Sequence, residues 1–168
     1  EPGLGASMAI TNLAADGATR TASDDSPLIA MSEVCKVYST GTIHVNALTD
    51  VDLKVERGDY VAIMGPSGSG KSTLMHIVGC LDIPTSGRYL LNGTDVSAMT
   101  EKELAHVRNV EIGFVFQQFN LLSSETALRN VELPMMYGGV KPAERKRRAL
   151  EALDRVGLAD RVDHRPGE

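Results

Sequence analysis

Excess basic charge is the first thing missing. Lys and Arg number 17 against 22 Asp and Glu, for a net charge of −5. Proteins that hold nucleic acid by bulk electrostatics show the opposite balance, so no nucleic-acid partner is expected. The only basic concentration, Arg145-Lys146-Arg147-Arg148, lies on a helical pattern with acidic residues four positions away. It reads as a solvated, salt-bridged face. Cysteine is scarce too: Cys35 and Cys80 stand far apart, with no second pair to build a metal site, and are expected to be reduced thiols of a cytoplasmic protein. No apolar run approaches the roughly 18 residues of a membrane span. The first residues lack the basic stretch and apolar core of a secretory leader. Membrane association is therefore expected only through a partner.

What is present suits one domain with a core: 168 residues, 42% of them hydrophobic. Residues 1–27, rich in Ala, Gly, Ser, Thr and Asp, carry no sustained periodicity and read as a disordered tail or linker. The chain starts on Glu1, which reads as a trimmed or excerpted sequence. From Leu28 the pattern changes. Val34–Tyr38 reads as a strand, Ser39–Thr42 as a turn, and Val51, Leu53 and Val55 alternate as in a half-buried strand. Tyr60–Met64 is apolar on both faces, as in a central strand of a covered parallel sheet. Leu74–Val78 reads as a buried helix, Arg88–Leu91 as a strand closed by Asn92-Gly93, and Ile112–Phe116 as another strand. Thr100 and Glu103 form a capping box for a short helix to about Asn109. Pro142 and Gly157 bracket a last helix.

Between the strand ending at Met64 and the helix that follows stands GPSGSGKST, residues 65–73. Gly65-x-x-x-x-Gly70-Lys71-Ser72 is the complete phosphate-binding loop pattern in its required context. Gly65, Gly68 and Gly70 clear side chains from the loop and permit the backbone to aim successive N–H groups at an anion. Pro66, Ser67 and Ser69 complete the bend. The following helix adds its N-terminal partial positive charge. Lys71 is expected at the β- and γ-phosphates as the catalytic point charge, Ser72 on Mg²⁺, and Thr73 near the α-phosphate. A nucleoside triphosphate is implied, without saying what is done with it.

Two further features narrow the reading. Ile112–Phe116 runs into Gln117, whose amide oxygen is suited to Mg²⁺ or an attacking water. Phe119, Leu121 and Leu122 then offer an apolar docking surface. Tyr38 lies in a β-rich preface, where its ring is suited to stack on adenine. Together Tyr38, RGDYVAIMGPSGSGKSTLMHIVGCLDIPTSG, LNGTDV and IGFVFQQFNLL resemble the ATP-binding subunit of an ABC transporter. ETALRNVELPMMYGG and KPAERKRRALEALDRVGL are similar to its macrolide-export and lipoprotein-release branch, with Arg129 where that branch often has glutamate.

The resemblance, over residues 28–168, implies an α/β fold. It would have a P-loop NTPase core with a parallel sheet, an N-terminal antiparallel β subdomain and the start of a helical subdomain, as an incomplete domain. It further implies ATP and Mg²⁺ as ligands, with Gln117 catalytic and metal-linked. Residues 117–137 would dock on a transmembrane permease, and a second nucleotide-binding subunit would close an ATP sandwich. The protein would sit on the cytoplasmic face of the membrane.

The signature LSGGQ, the acidic pair and the switch histidine of that family are not found in these residues; GCLD at 79–82 falls after the loop helix, and no histidine fits. The sequence is thus read as truncated before the signature. It is expected to hold nucleotide without turning it over, while the parent hydrolyses ATP. Two alternatives stand beside this reading: a soluble nucleotide kinase of the guanylate kinase type, whose loop is similar, and a non-transport ABC ATPase fragment.

Overall fold

The computed structural model describes residues 8–12, 26–117 and 119–168. The chain divides into two compact units, residues 1–108 and 109–168, described in turn.

The first unit contains β1 (Ala9–Asn12), β2 (Ile29–Thr40), β3 (Ile43–Val55), β4 (Val61–Met64), α1 (Lys71–Val78), β5 (Ser86–Leu91) and β6 (Thr94–Asp95). Helix α2 (Glu101–Val110) closes it and runs just past the division. β3, β2, β5 and β6 form a four-stranded sheet in that order, antiparallel throughout. The β2–β3 hairpin turns at Gly41-Thr42, which sets Tyr38 opposite Val45.

The alternation along β2 breaks once. Met31 and Val34 are both buried although an odd number of residues apart, because the pairing shifts between them and Glu33 takes a positive φ of 50°. Such a bulge returns the later residues to the core face. The core gathers Met31, Val34, Leu48, Leu53 and Leu91 from the sheet with Leu74 and Ile77 from α1. Those last two, three apart, form the single buried stripe of the helix. The capping box at α2 is formed: the Thr100 N–H donates to Glu103 Oε2 at 2.8 Å, and the Glu103 N–H to Thr100 Oγ1 at 3.4 Å.

Three expectations need correction. Ala9–Asn12, within the supposed tail, is a strand paired antiparallel with β4. Four residues are too few to register as a period, but the open edge of β4 supplies them with hydrogen-bond partners. The rest of the tail, residues 1–7 and 13–25, lies outside the described residues. Every described strand pair is antiparallel, and β1 is the only described strand paired with β4. The parallel sheet is therefore not formed among the described residues. Ile112–Phe116 is not a strand either. Phe114 and Phe116, two apart, stack their rings at 5.3 Å, while Val115 between them is fully exposed. The segment has the sequence of a strand but no ladder partner among the described residues.

The second unit is built on α3 (Ala127–Tyr137) and α4 (Pro142–Arg155), which pack together, followed by a 3₁₀ turn at Ala159–Arg161. Thr126 caps α3, its hydroxyl accepting from the Arg129 N–H. The Ala127 and Leu128 amides donate to the carbonyls of His164 and Val162 at 2.8 and 3.0 Å. Pro142 opens α4, and Ala149 and Leu153 form its buried stripe. On its outer face Glu144 accepts from Arg147 and Arg148, and Arg147 also reaches Glu151.

Candidate nucleotide-binding site

β4 ends at Met64, and the chain then bends through residues 65–70 into α1. The bend is fixed at Gly70, in the left-handed region at φ 90°. A Cβ there would lie 2.6 Å from the Ala47 carbonyl oxygen and 2.9 Å from Leu48 Cδ2, so both backbone angle and close approach of β3 require glycine. Gly68 shares the left-handed conformation, at φ 81°, and the Ser69 N–H donates to the Pro66 carbonyl at 3.3 Å.

The start of α1 is suited to an anion. Gly70 provides no side-chain cap, and the first turn holds no acidic residue. The N–H groups of the first turn have no acceptor within the helix, and no acidic side chain of that turn offsets its positive end. Lys71 curls over the loop, Nζ donating to the carbonyls of Gly65 (2.8 Å) and Pro66 (2.7 Å), with Ser69 Oγ at 3.5 Å. An open cleft of about 530 Å³ lies against this turn. Ser67, Gly68, Gly70, Lys71, Ser72 and Thr73 line it on one side, and Val45, Asn46 and Ala47 of β3 on the other.

Tyr38 reaches this neighbourhood from β2. Its cross-strand partner Val45 lines the cleft, and directly opposed residues share one face of a sheet. The ring is 40% exposed, and its hydroxyl donates to Asp82 Oδ2 at 2.8 Å. Burial, the Asp82 hydrogen bond and its negative charge push the phenol pKa up, against a smaller opposing effect of a hydrogen bond with Thr73.

Ser72 is exposed at the head of α1. Among the described residues no group of three His, Cys, Asp or Glu side chains is placed to hold a metal. A single serine hydroxyl fits Mg²⁺, which keeps most of its ligands as water and phosphate oxygens. Gln117 is exposed at the end of the extended run in the second unit, and Gln118 lies outside the described residues.

Sequence reasoning did not single out Lys36, Asp82 or Val45–Ala47 as parts of this site. The β3 residues were within reach: reflecting Tyr38 through the Gly41-Thr42 turn lands on Val45. Asp82 carried no such signal, because it arrives from a turn 44 residues downstream of Tyr38.

A glycine-hinged bend that delivers a helix N-terminus and a lysine to one cleft defines a phosphate-binding loop of the nucleotide-binding kind. A profile of the ABC transporter family matches residues 48–168, and the chain belongs to that family.

An uncharacterised ABC transporter ATP-binding protein of Thermotoga maritima is 56% identical over 141 residues, covering 84% of this chain and 60% of that protein. The macrolide export ATP-binding/permease protein MacB of Brucella abortus is 51% identical over 142 residues, 84% of this chain and 22% of that protein. Among solved structures, the ATP-binding cassette MJ0796, in a dimeric post-hydrolysis state bound to ADP and Pi, superposes with a TM-score of 0.70. It is 39% identical, with 82% of this chain and 61% of that one covered. The chain thus spans about 60% of the length of the curated ATP-binding protein from Thermotoga. The guanylate kinase alternative is set aside by the family match.

Proposed function

We propose that residues 28–168 form part of the nucleotide-binding domain of an ABC transporter, and that the cleft at α1 binds ATP with Mg²⁺. In this reading the amides of residues 65–73 and the Lys71 ammonium surround the phosphates, Tyr38 stacks on the base, and Ser72 holds the metal. Mg²⁺, when bound, neutralises phosphate charge and polarises the terminal phosphoryl group. The observation that carries the proposal is the uncapped, carboxylate-free start of α1 behind a glycine that no other residue replaces.

The parent protein hydrolyses ATP to drive export or lipoprotein release through a permease. A second nucleotide-binding subunit closes over the nucleotide, and the protein lies on the cytoplasmic face of the membrane. Residues 28–168 by themselves hold nucleotide without turning it over, since signature, acidic pair and switch histidine are not among them. Residues 117–137 form the surface for the permease. In support, Phe119 is 87% exposed. A groove of about 320 Å³ runs along α3, with Leu122, Leu133 and Met136 as its apolar lining.

Titration with ATP by calorimetry, before and after Lys71→Ala, tests the nucleotide reading. The substitution removes charge-assisted hydrogen bonds of roughly 1.5–3 kcal/mol, so affinity is expected to fall about ten- to a hundredfold. An unchanged affinity rejects the role assigned to Lys71.

A further inference from the structure

The pairing of Lys36 with Asp82 is not explained by the phosphate loop. Lys36 and Tyr38 are two apart on β2 and project from the same face. Asp82 comes from the turn behind α1, where the Leu81 and Asp82 amides both donate to the His76 carbonyl. Its carboxylate is engaged at both oxygens. Oδ1 accepts from Lys36 Nζ at 2.6 Å and from the Ile83 N–H at 2.8 Å, and Oδ2 accepts from the Tyr38 hydroxyl. Lys36 Nζ also donates to the Ile83 carbonyl at 2.8 Å, and lies 5.0 Å from the centroid of the Tyr38 ring. The Lys36 side chain is only 11% exposed.

An ion pair sunk this far recovers little net stability, because both charges surrender hydration. What it does provide is geometry. The phenol is held at its tip by Asp82 and covered on one face by the Lys36 ammonium, and the residue stays 40% exposed.

We propose that Lys36 and Asp82 are positioning residues that lock Tyr38 with one ring face presented to the planar base of a nucleoside triphosphate, so that this pair governs how strongly the site discriminates a nucleotide from a bare polyphosphate. The inference rests on the stacking role assigned to Tyr38 under the proposed function. A tethered ring loses less rotamer freedom on stacking, and releasing it is expected to weaken base-dependent binding about two- to tenfold. Phosphate contacts, made by the loop amides and Lys71, stay as they are.

The test compares Mg·ATP with inorganic tripolyphosphate plus Mg²⁺ by calorimetry on the intact protein. Asp82→Asn and, as a second route, Lys36→Met are each expected to weaken ATP two- to tenfold and to leave tripolyphosphate unchanged. In a Tyr38→Ala background, Asp82→Asn is expected to have no further effect on ATP. Equal losses for both ligands in both variants reduce the pair to general fold support and overturn the proposal. So does undiminished ATP affinity. Tyr38→Ala identifies which layer failed. If it leaves ATP binding intact, the stacking reading falls and the clamp with it; if it weakens ATP while the Asp82 and Lys36 variants do not, only the clamp falls.

Discussion

Gly70 shows how one atom governs this site. Any side chain there has to adopt φ 90° and meet the Ala47 carbonyl at 2.6 Å. The backbone term alone costs about 1–3 kcal/mol, and the contact adds to it. Gly70→Ala is therefore expected to lower the melting temperature and to weaken nucleotide binding together, measured by thermal denaturation with and without ATP.

Asp82 shows the same economy in its ionisation. Burial alone would raise its pKa, but hydrogen bonds from Lys36, Tyr38 and the Ile83 amide, with the Lys36 charge, outweigh burial and hold it low. A depressed folded pKa contributes stability that is complete above the unfolded value, about 3.9. That stability is lost as pH falls through the folded value. Denaturant midpoints followed from neutral pH downward are expected to decline below about pH 4, with a shallower decline in Asp82→Asn. Matching curves for the two proteins would show that Asp82 is not linked to folding.

Elements differ in how clearly the sequence announced them, and the differences have physical causes. Both ends of α4 were legible because Pro142 and Gly157 act locally, through fixed φ in one case and φ of 73° in the other. The capping box of α2 was legible for the same reason. The bend at 65–70 was legible because its glycines sit at set spacings, and Gly68 and Gly70 both take the left-handed conformation. The run at 112–116 misled because a strand is a statement about a neighbour, and apolar alternation does not say whether one exists. β1 was missed from the opposite side, being an element its partner creates.

Tyr89 ties two elements that no local pattern connects. It is 1% exposed on β5, and its hydroxyl donates to the Val78 carbonyl at the end of α1 at 2.9 Å. Burial, foremost, and the nearby Cys80 push its pKa well above the ordinary tyrosine range, keeping it a neutral donor. Tyr89→Phe leaves that carbonyl without its donor, a loss of about 1–3 kcal/mol, to be read from chemical denaturation. A stability within a few tenths of wild type would place the bond outside the energetics of the fold.

At the scale of the molecule, the nucleotide cleft is lined by residues of the first unit and the apolar groove along α3 by residues of the second. The two should therefore be separable by substitution. Phe119→Asp is expected to abolish co-purification of the intact protein with the proposed permease while leaving ATP affinity unaltered. Retention of the membrane subunit would move the contact elsewhere.

The bonds from Ala127 and Leu128 to His164 and Val162 turn the second unit into a fastened loop. Asn130 stitches its near side, holding Leu122, Glu125 and Thr126. A tug on the chain beyond Arg165 is thus delivered to the base of α3 and to the stretch carrying Leu122. The hydrogen bonds make a drawstring, one connected set that runs from residues 162–164 through the start of α3 to Leu122.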